Sequence, residues 1–227
     1  MCLSWLYEQS VFIYKDFNKI RIDENEYKIY LKRKIEMNNG IFERYDFLKT
    51  LVKDRKEQFN RLISFMEKET AWLTAPASTK YHLCKEGGLL EHSVNVAETM
   101  LKIKAAIAPD ISDESCVIVA LLHDLGKVGM PGNPQYLVNE PSEKQKMYGY
   151  KPDYPYRFNS KLTYLSVPVR SIYLALQHIR LTEEEVQAIV YHDGQYVEDN
   201  RSCATHEEPL TLLLQHADSW SGFVIEK

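Results

Sequence analysis

Cysteine is scarce in this sequence, and its four thiols (Cys2, Cys84, Cys116 and Cys203) stand far apart with no Cys-x-x-Cys spacing. That argues against a disulfide framework and fits reduced thiols in a cytoplasmic protein. Long apolar runs are missing as well: none reaches the length needed to span a bilayer. The N-terminal stretch has neither a basic start nor a small-residue cleavage site, because Glu8, Lys15 and Asp16 interrupt it, so no secretory leader or membrane partner is expected. Positive charge is not in surplus. A formal net charge of −4 leaves no general basic footprint for nucleic acid. An anionic substrate would have to be drawn by a local field, most simply that of a bound cation. Internal repeats and low-complexity tracts are absent too.

What is present suits one sizeable core, with 227 residues, 44% hydrophobic and 26% charged. Residues 1–36 carry Trp5, four tyrosines and mixed charges without a period. They read either as a start-site artefact, with Met37 the initiator, or as a real appendage, and no function is assigned to them. The domain proper is expected over residues 37–227.

From Phe42 to Trp72 the positions Phe47, Leu48, Leu51, Val52, Phe59, Leu62, Ile63, Phe65 and Met66 recur at helical spacing. This predicts one long amphipathic helix, or two with a bend, ended by Ala75-Pro76-Ala77-Ser78. After a loop closed by Gly87-Gly88, the positions Leu89, Val96 and Met100 continue a helix to Ile107, with His92 on its buried stripe. Pro109 breaks it. Ser112-Asp113-Glu114 supplies an N-cap and an acidic first turn for a helix that runs through Ala120-Leu121-Leu122 into His123-Asp124. Two metal-binding side chains at the buried end of an apolar helix are costly to desolvate unless a cation pairs with them.

Residues 130–165 form an irregular loop rich in proline and tyrosine, a length usually functional or mobile. A small hairpin over Tyr156 to Leu165, turning at Asn159-Ser160, is its one regular expectation. Val167 to Ile179 reads as helix. Thr182-Glu183-Glu184-Glu185 is a capping box for a helix through Val190, stopped at Tyr191-His192-Asp193-Gly194. A last apolar helix, Pro209 to Val224, embeds Asp218 between Leu212-Leu213-Leu214 and Trp220, where an acid needs a partner. The fold class is therefore all-α. His92, His123, Asp124 and Asp218 together suit one divalent ion, Mn²⁺, Fe²⁺, Co²⁺, Ni²⁺ or Zn²⁺, with Mg²⁺ also compatible.

The order His92, His123-Asp124, Asp218, with Leu121-Leu122-His123-Asp124-Leu125-Gly126-Lys127 around the pair, resembles the HD superfamily of metal-dependent phosphohydrolases. The resemblance runs from about Ala75 to the end of the sequence. Gly87-Gly88-Leu89-Leu90-Glu91-His92 is similar to the HD domain of bacterial 3′→5′ exoribonucleases and of relaxase-associated HD proteins, and Leu212 to Asp218 to their closing helix. It implies a helical HD bundle in which His92, His123, Asp124 and Asp218 hold the metal. It also implies that Lys127 contacts phosphate or stabilises an attacking hydroxide, against the plainer reading of a solvated helix-end lysine. His192 becomes a metal ligand, a substrate contact or a proton donor to the leaving oxygen.

Two-metal members carry a further histidine where this sequence has Ser166-Val167-Pro168-Val169-Arg170-Ser171. The departure favours one metal and places His192 outside the ligand set. Arg170 would bind phosphate in place of a second cation, or else is a surface arginine. His82, Lys85 and Asp193 complete the substrate-side candidates, and the tyrosines of the loop either stack a base or pack their own loop. His206 and His216 are assigned to structure or solvent. The expected activity is hydrolysis of a nucleotide or related phosphate ester by a metal-activated hydroxide. The alternatives are a 3′→5′ exonuclease on short nucleic acid and a metal-clamped binding module without turnover.

Overall fold

The computed structural model describes residues 40–227; the readings offered for residues 1–36 and for Met37 lie outside the described residues. The chain divides between Phe42 and Glu43, and the architecture below is that of the second unit.

The first helical stretch is two helices, α1 (Ile41–Thr50) and α2 (Lys56–Glu69). Their break is held by a carboxylate from elsewhere: Glu114 Oε2 accepts from the backbone N–H groups of Lys53 (2.7 Å) and Asp54 (2.8 Å). Those amides would otherwise need partners of their own. The periodic residues Phe59, Leu62, Ile63, Phe65 and Met66 of α2 are buried as their spacing requires.

α3 (Gly88–Ile107) is the central helix, packed on α4 (Asp113–Leu122) on one side and α8 (Pro209–Trp220) on another. Its start is a close approach of backbones. A Cβ on Gly88 would lie 2.0 Å from the Leu83 carbonyl oxygen, so only glycine fits there. In α4 the side chains from Cys116 through Leu122 are all buried, as expected of a helix apolar all round. The Ser112 hydroxyl caps it, accepting from the Ser115 N–H at 2.9 Å. A 3₁₀ turn, Leu125–Val128, then carries the chain against α6 (Val167–Ala175). Gly126 makes that contact possible, because a Cβ there would meet the Val167 carbonyl oxygen at 2.2 Å. Its N–H donates to Ser171 Oγ (2.8 Å), whose hydroxyl donates to the His123 carbonyl (3.0 Å).

The irregular loop contains a two-stranded antiparallel ribbon, and here the expectation is corrected. Strand β2 (Tyr156–Phe158) pairs with β1 (Tyr136–Val138), not with the residues after Asn159-Ser160. Asn159 instead ties the base of the ribbon, its Nδ2 donating to Asn133 Oδ1 (2.7 Å) and the Pro134 carbonyl (2.9 Å). Alternation marks a strand but not the strand it pairs with. A short helix, α5 (Glu143–Met147), lies between the two strands.

α6 ends at Ala175, four residues short of the expected Ile179, and turns closed on the Ala175 carbonyl by the N–H groups of His178 and Ile179 finish the segment. α7 (Glu183–Val190) opens with the Thr182–Glu185 capping box. 3₁₀ turns at Gly194–Tyr196 and Glu198–Cys203 connect it to α8. The last helix does not run evenly to Val224; at Ser221 it widens into a π turn, Ser221–Ile225. The fold is all-α apart from the ribbon, and no helix among the described residues is long and apolar enough to cross a membrane.

Candidate metal centre

Four elements meet where the sequence motifs lie. α3 supplies His92, the end of α4 supplies His123 with Asp124 directly after it, the turn after α7 supplies His192, and α8 supplies Asp218. His92, His123, Asp124 and His192 are all buried, between 0% and 4% exposed.

Each of these imidazoles has its Nδ1 committed away from the centre. His123 Nδ1 lies 2.8 Å from the Ala120 carbonyl, three residues back, and His192 Nδ1 lies 2.8 Å from the Ile189 carbonyl in the same relation. A carbonyl only accepts, so both Nδ1 atoms carry the proton and both Nε2 atoms are left as lone pairs. His92 Nδ1 faces both oxygens of Glu226, at 3.0 and 3.1 Å, so it too carries a proton, and Nε2 can ligate once the proton it shares with Asp218 is displaced.

The Nε2 atoms then converge on one another and on carboxylate oxygens. His92 Nε2 lies 3.3 Å from His123 Nε2, 3.0 Å from Asp218 Oδ1 and 3.7 Å from Asp124 Oδ2. His123 Nε2 lies 3.4 Å from Asp124 Oδ2 and 3.9 Å from Asp218 Oδ1. His192 Nε2 lies 3.7 Å from Asp124 Oδ1. Two overlapping sets, His92–His123–Asp218 and His123–Asp124–His192, each bring ligand atoms within 4.8 Å of one another. One proton can satisfy the His92–Asp218 pair but not the other acceptors around it. A single divalent ion would answer them together, and imidazole nitrogen with carboxylate oxygen is the donor set of first-row metals. The residues therefore fit the ion.

The electrostatics are those of acceptors crowded in a buried place. Burial opposes a charge on His92, yet its contacts with Asp218 and Glu226 outweigh this and lift its pKa to about 9. Burial also opposes ionisation of Asp124, but Lys127 and His123 hold its carboxyl well below the usual range. Asp218 is lowered in the same way, with His92 the main counterweight to burial.

The remaining candidates scatter. Lys127 is beside the centre, its ammonium donating to Asp124 Oδ2 at 2.5 Å, and it is not a solvated helix-end lysine. Asp193 is half-exposed, with Oδ1 3.6 Å from His192 Nε2. His82 stacks obliquely near His92, ring centres 4.9 Å apart, with Nε2 3.7 Å from Glu226 Oε2. Lys85 points elsewhere and pairs with Glu91 on the surface at 2.7 Å. Arg170 is not a surface arginine, although it lines a cavity. It is 2% exposed, Nη1 bonds Gln135 Oε1, and Nη2 donates to the Thr163 carbonyl at 2.8 Å. It braces the ribbon and the following loop against α6. Sequence reasoning passed over Glu226, which no motif marks. Of the loop tyrosines, Tyr136 is set near the centre, its buried phenol among the charges of Lys127 and Asp124.

The family model described as HD domain matches residues 89–220, more than half of the chain, and the chain belongs to the HD domain family. That family is one of metal-dependent phosphohydrolases. No curated protein and no solved structure matches the chain.

Proposed function

We propose that this chain hydrolyses a small nucleotide or related phosphate ester, with His92, His123, Asp124 and Asp218 holding one divalent ion. The convergence of imidazole Nε2 lone pairs and two buried carboxylates, with Lys127 bound to one of them, carries the reading. When bound, the ion lowers the pKa of water and polarises a phosphoryl oxygen. Lys127 keeps Asp124 ionised and sets a positive charge beside the place where phosphate charge develops. His192, its Nδ1 proton held by the Ile189 carbonyl, presents an Nε2 lone pair that takes the proton released by the attacking water and passes it to the leaving oxygen.

A cavity of about 780 Å³ supports a nucleotide-sized substrate. Asp193, whose Oδ1 lies 3.6 Å from His192 Nε2, lines it together with Arg170, and none of the four candidate ligands does. Phe158, Tyr164 and Val167 give it an apolar wall for a ring, and Asp193, Asp199 and Asn200 give it polar groups.

The test is a panel of mononucleotides, short oligonucleotides and generic mono- and diesters with Mn²⁺, Co²⁺, Ni²⁺ and Mg²⁺. Metal-dependent turnover of mononucleotides, with KM weakly dependent on salt, is expected. A steep salt dependence on oligonucleotides would favour the 3′→5′ exonuclease instead. Metal binding without turnover of any substrate would favour a binding module.

A further inference from the structure

Among the described residues, the carboxylate of Glu226 is a strongly buried charge beside the centre that neither the family match nor the proposed chemistry uses. It lies beyond residue 220, where the family model ends. Its side chain is nevertheless only 1% exposed, in a segment whose preceding residues Phe223, Val224 and Ile225 are exposed. Burying a carboxylate costs free energy unless donors meet it.

The donors that meet it are specific. His92 Nδ1 lies 3.0 and 3.1 Å from its two oxygens, and Asn95 Nδ2 donates to Oε1 at 2.9 Å. Asn95 cannot turn its amide round, because its Oδ1 accepts from Arg44 Nη2 at 2.8 Å, and Arg44 is itself clamped by Glu98. The backbone delivers Glu226 by the π turn after α8, closed by its own N–H donating to the Ser221 carbonyl at 3.0 Å.

We propose that Glu226 is a positioning residue for the metal: it fixes the ring orientation and tautomer of His92 and makes Nε2 a stronger ligand. The inference rests on the metal reading of the centre. A carboxylate on the far nitrogen of a metal-bound histidine raises the basicity of the bound nitrogen, and losing such a partner weakens metal binding about 10- to 100-fold. His82, His92 and Glu226 also lie close enough to form a ligand set of their own. Holding one ion there and another at the main centre would require His92 to give up both ring protons, so the hydrogen-bonded pair is the better account.

The experiment is a Co²⁺ titration of the full chain, followed by calorimetry and by the visible spectrum of the bound ion. Wild type, Glu226→Gln, Glu226→Ala, Asn95→Ala and Asp124→Ala are compared, with the metal-free melting temperature of each. Glu226→Ala is expected to raise Kd about 10- to 100-fold and to alter the spectrum. Glu226→Gln, which keeps an acceptor but loses the charge, should fall between it and wild type. It carries the test if the alanine variant does not fold, and Asn95→Ala should shift Kd in the same direction by less. Wild-type Kd and spectrum in both Glu226 variants would overturn the inference while leaving the metal centre standing. A second Co²⁺ equivalent lost with Glu226 would also overturn it, by making Glu226 a ligand. No Co²⁺ uptake by wild type would overturn the metal reading and this inference together.

Discussion

Two places in this molecule gather buried charge, and they are built on opposite plans. At the junction of α1, α2, α4 and α7, Arg55 sits between Glu114 and Glu185, and every carboxylate oxygen has a donor. Glu114 Oε1 takes Arg55 Nε (2.7 Å), and Oε2 takes the Lys53 and Asp54 amides. Glu185 receives Arg55 Nη1 and Nη2, both at 2.6 Å, and the Thr182 amide. At the His–Asp centre the same kinds of buried groups face one another acceptor to acceptor. Full satisfaction makes a brace. Leaving lone pairs aimed at a common space is a cost that a fold bears where a ligand will relieve it.

The largest effect that would break this contrast is Asp124→Ala. Metal-dependent turnover should fall to background and metal binding should be lost, while the melting temperature of the metal-free chain changes little. Retained turnover would show that the centre has been misplaced.

His192→Ala should cost about 10²- to 10⁴-fold in kcat with the metal still bound, as read by metal content after gel filtration. Loss of the ion from that variant would move His192 into the ligand set, a position its 3.7 Å approach to Asp124 Oδ1 makes geometrically open.

On the other side of the comparison, Arg55→Ala strands two buried carboxylates. It should destabilise the fold by about 3 kcal/mol, the low end for breaking a buried ion pair, as measured by urea unfolding, with metal affinity unchanged below the transition. A change under about 1 kcal/mol would match a surface pair instead.

The mildest test is acid. Burial disfavours the charged form of Glu114, but Arg55 and the two amides outweigh it and lower its pKa in the folded state. The carboxylate's contribution is therefore complete above the unfolded value of about 4.3 and drains as pH falls through the lower folded one. Urea midpoints between about pH 5 and pH 3 should fall more steeply for wild type than for Glu114→Gln. Equal slopes would remove Glu114 from the brace.

How much of this could be read beforehand differs residue by residue. His123 and Asp124 declared themselves because two polar side chains end a fully apolar helix, and Asp218 because it is an acid among leucines. The Thr182–Glu185 capping box and the Ser112 cap follow from local chemistry as well. Arg170 could not be placed beforehand for a physical reason: a guanidinium suits a phosphate and a carbonyl cage equally, and only the fold sets it among Gln135, Gly126 and Thr163 rather than on the surface. The ribbon misled because period-2 alternation says nothing about a partner strand twenty residues upstream.

By itself, then, the sequence determined the helices, their buried faces and the order in which candidate ligands appear, because periodicity and capping act within a few residues. Tertiary packing alone decided which atoms of those ligands face inward and what stands behind them. His92 and Glu226 are 134 positions apart, and no local rule relates them. They meet because α8 packs along α3 and then widens by a π turn at Ser221.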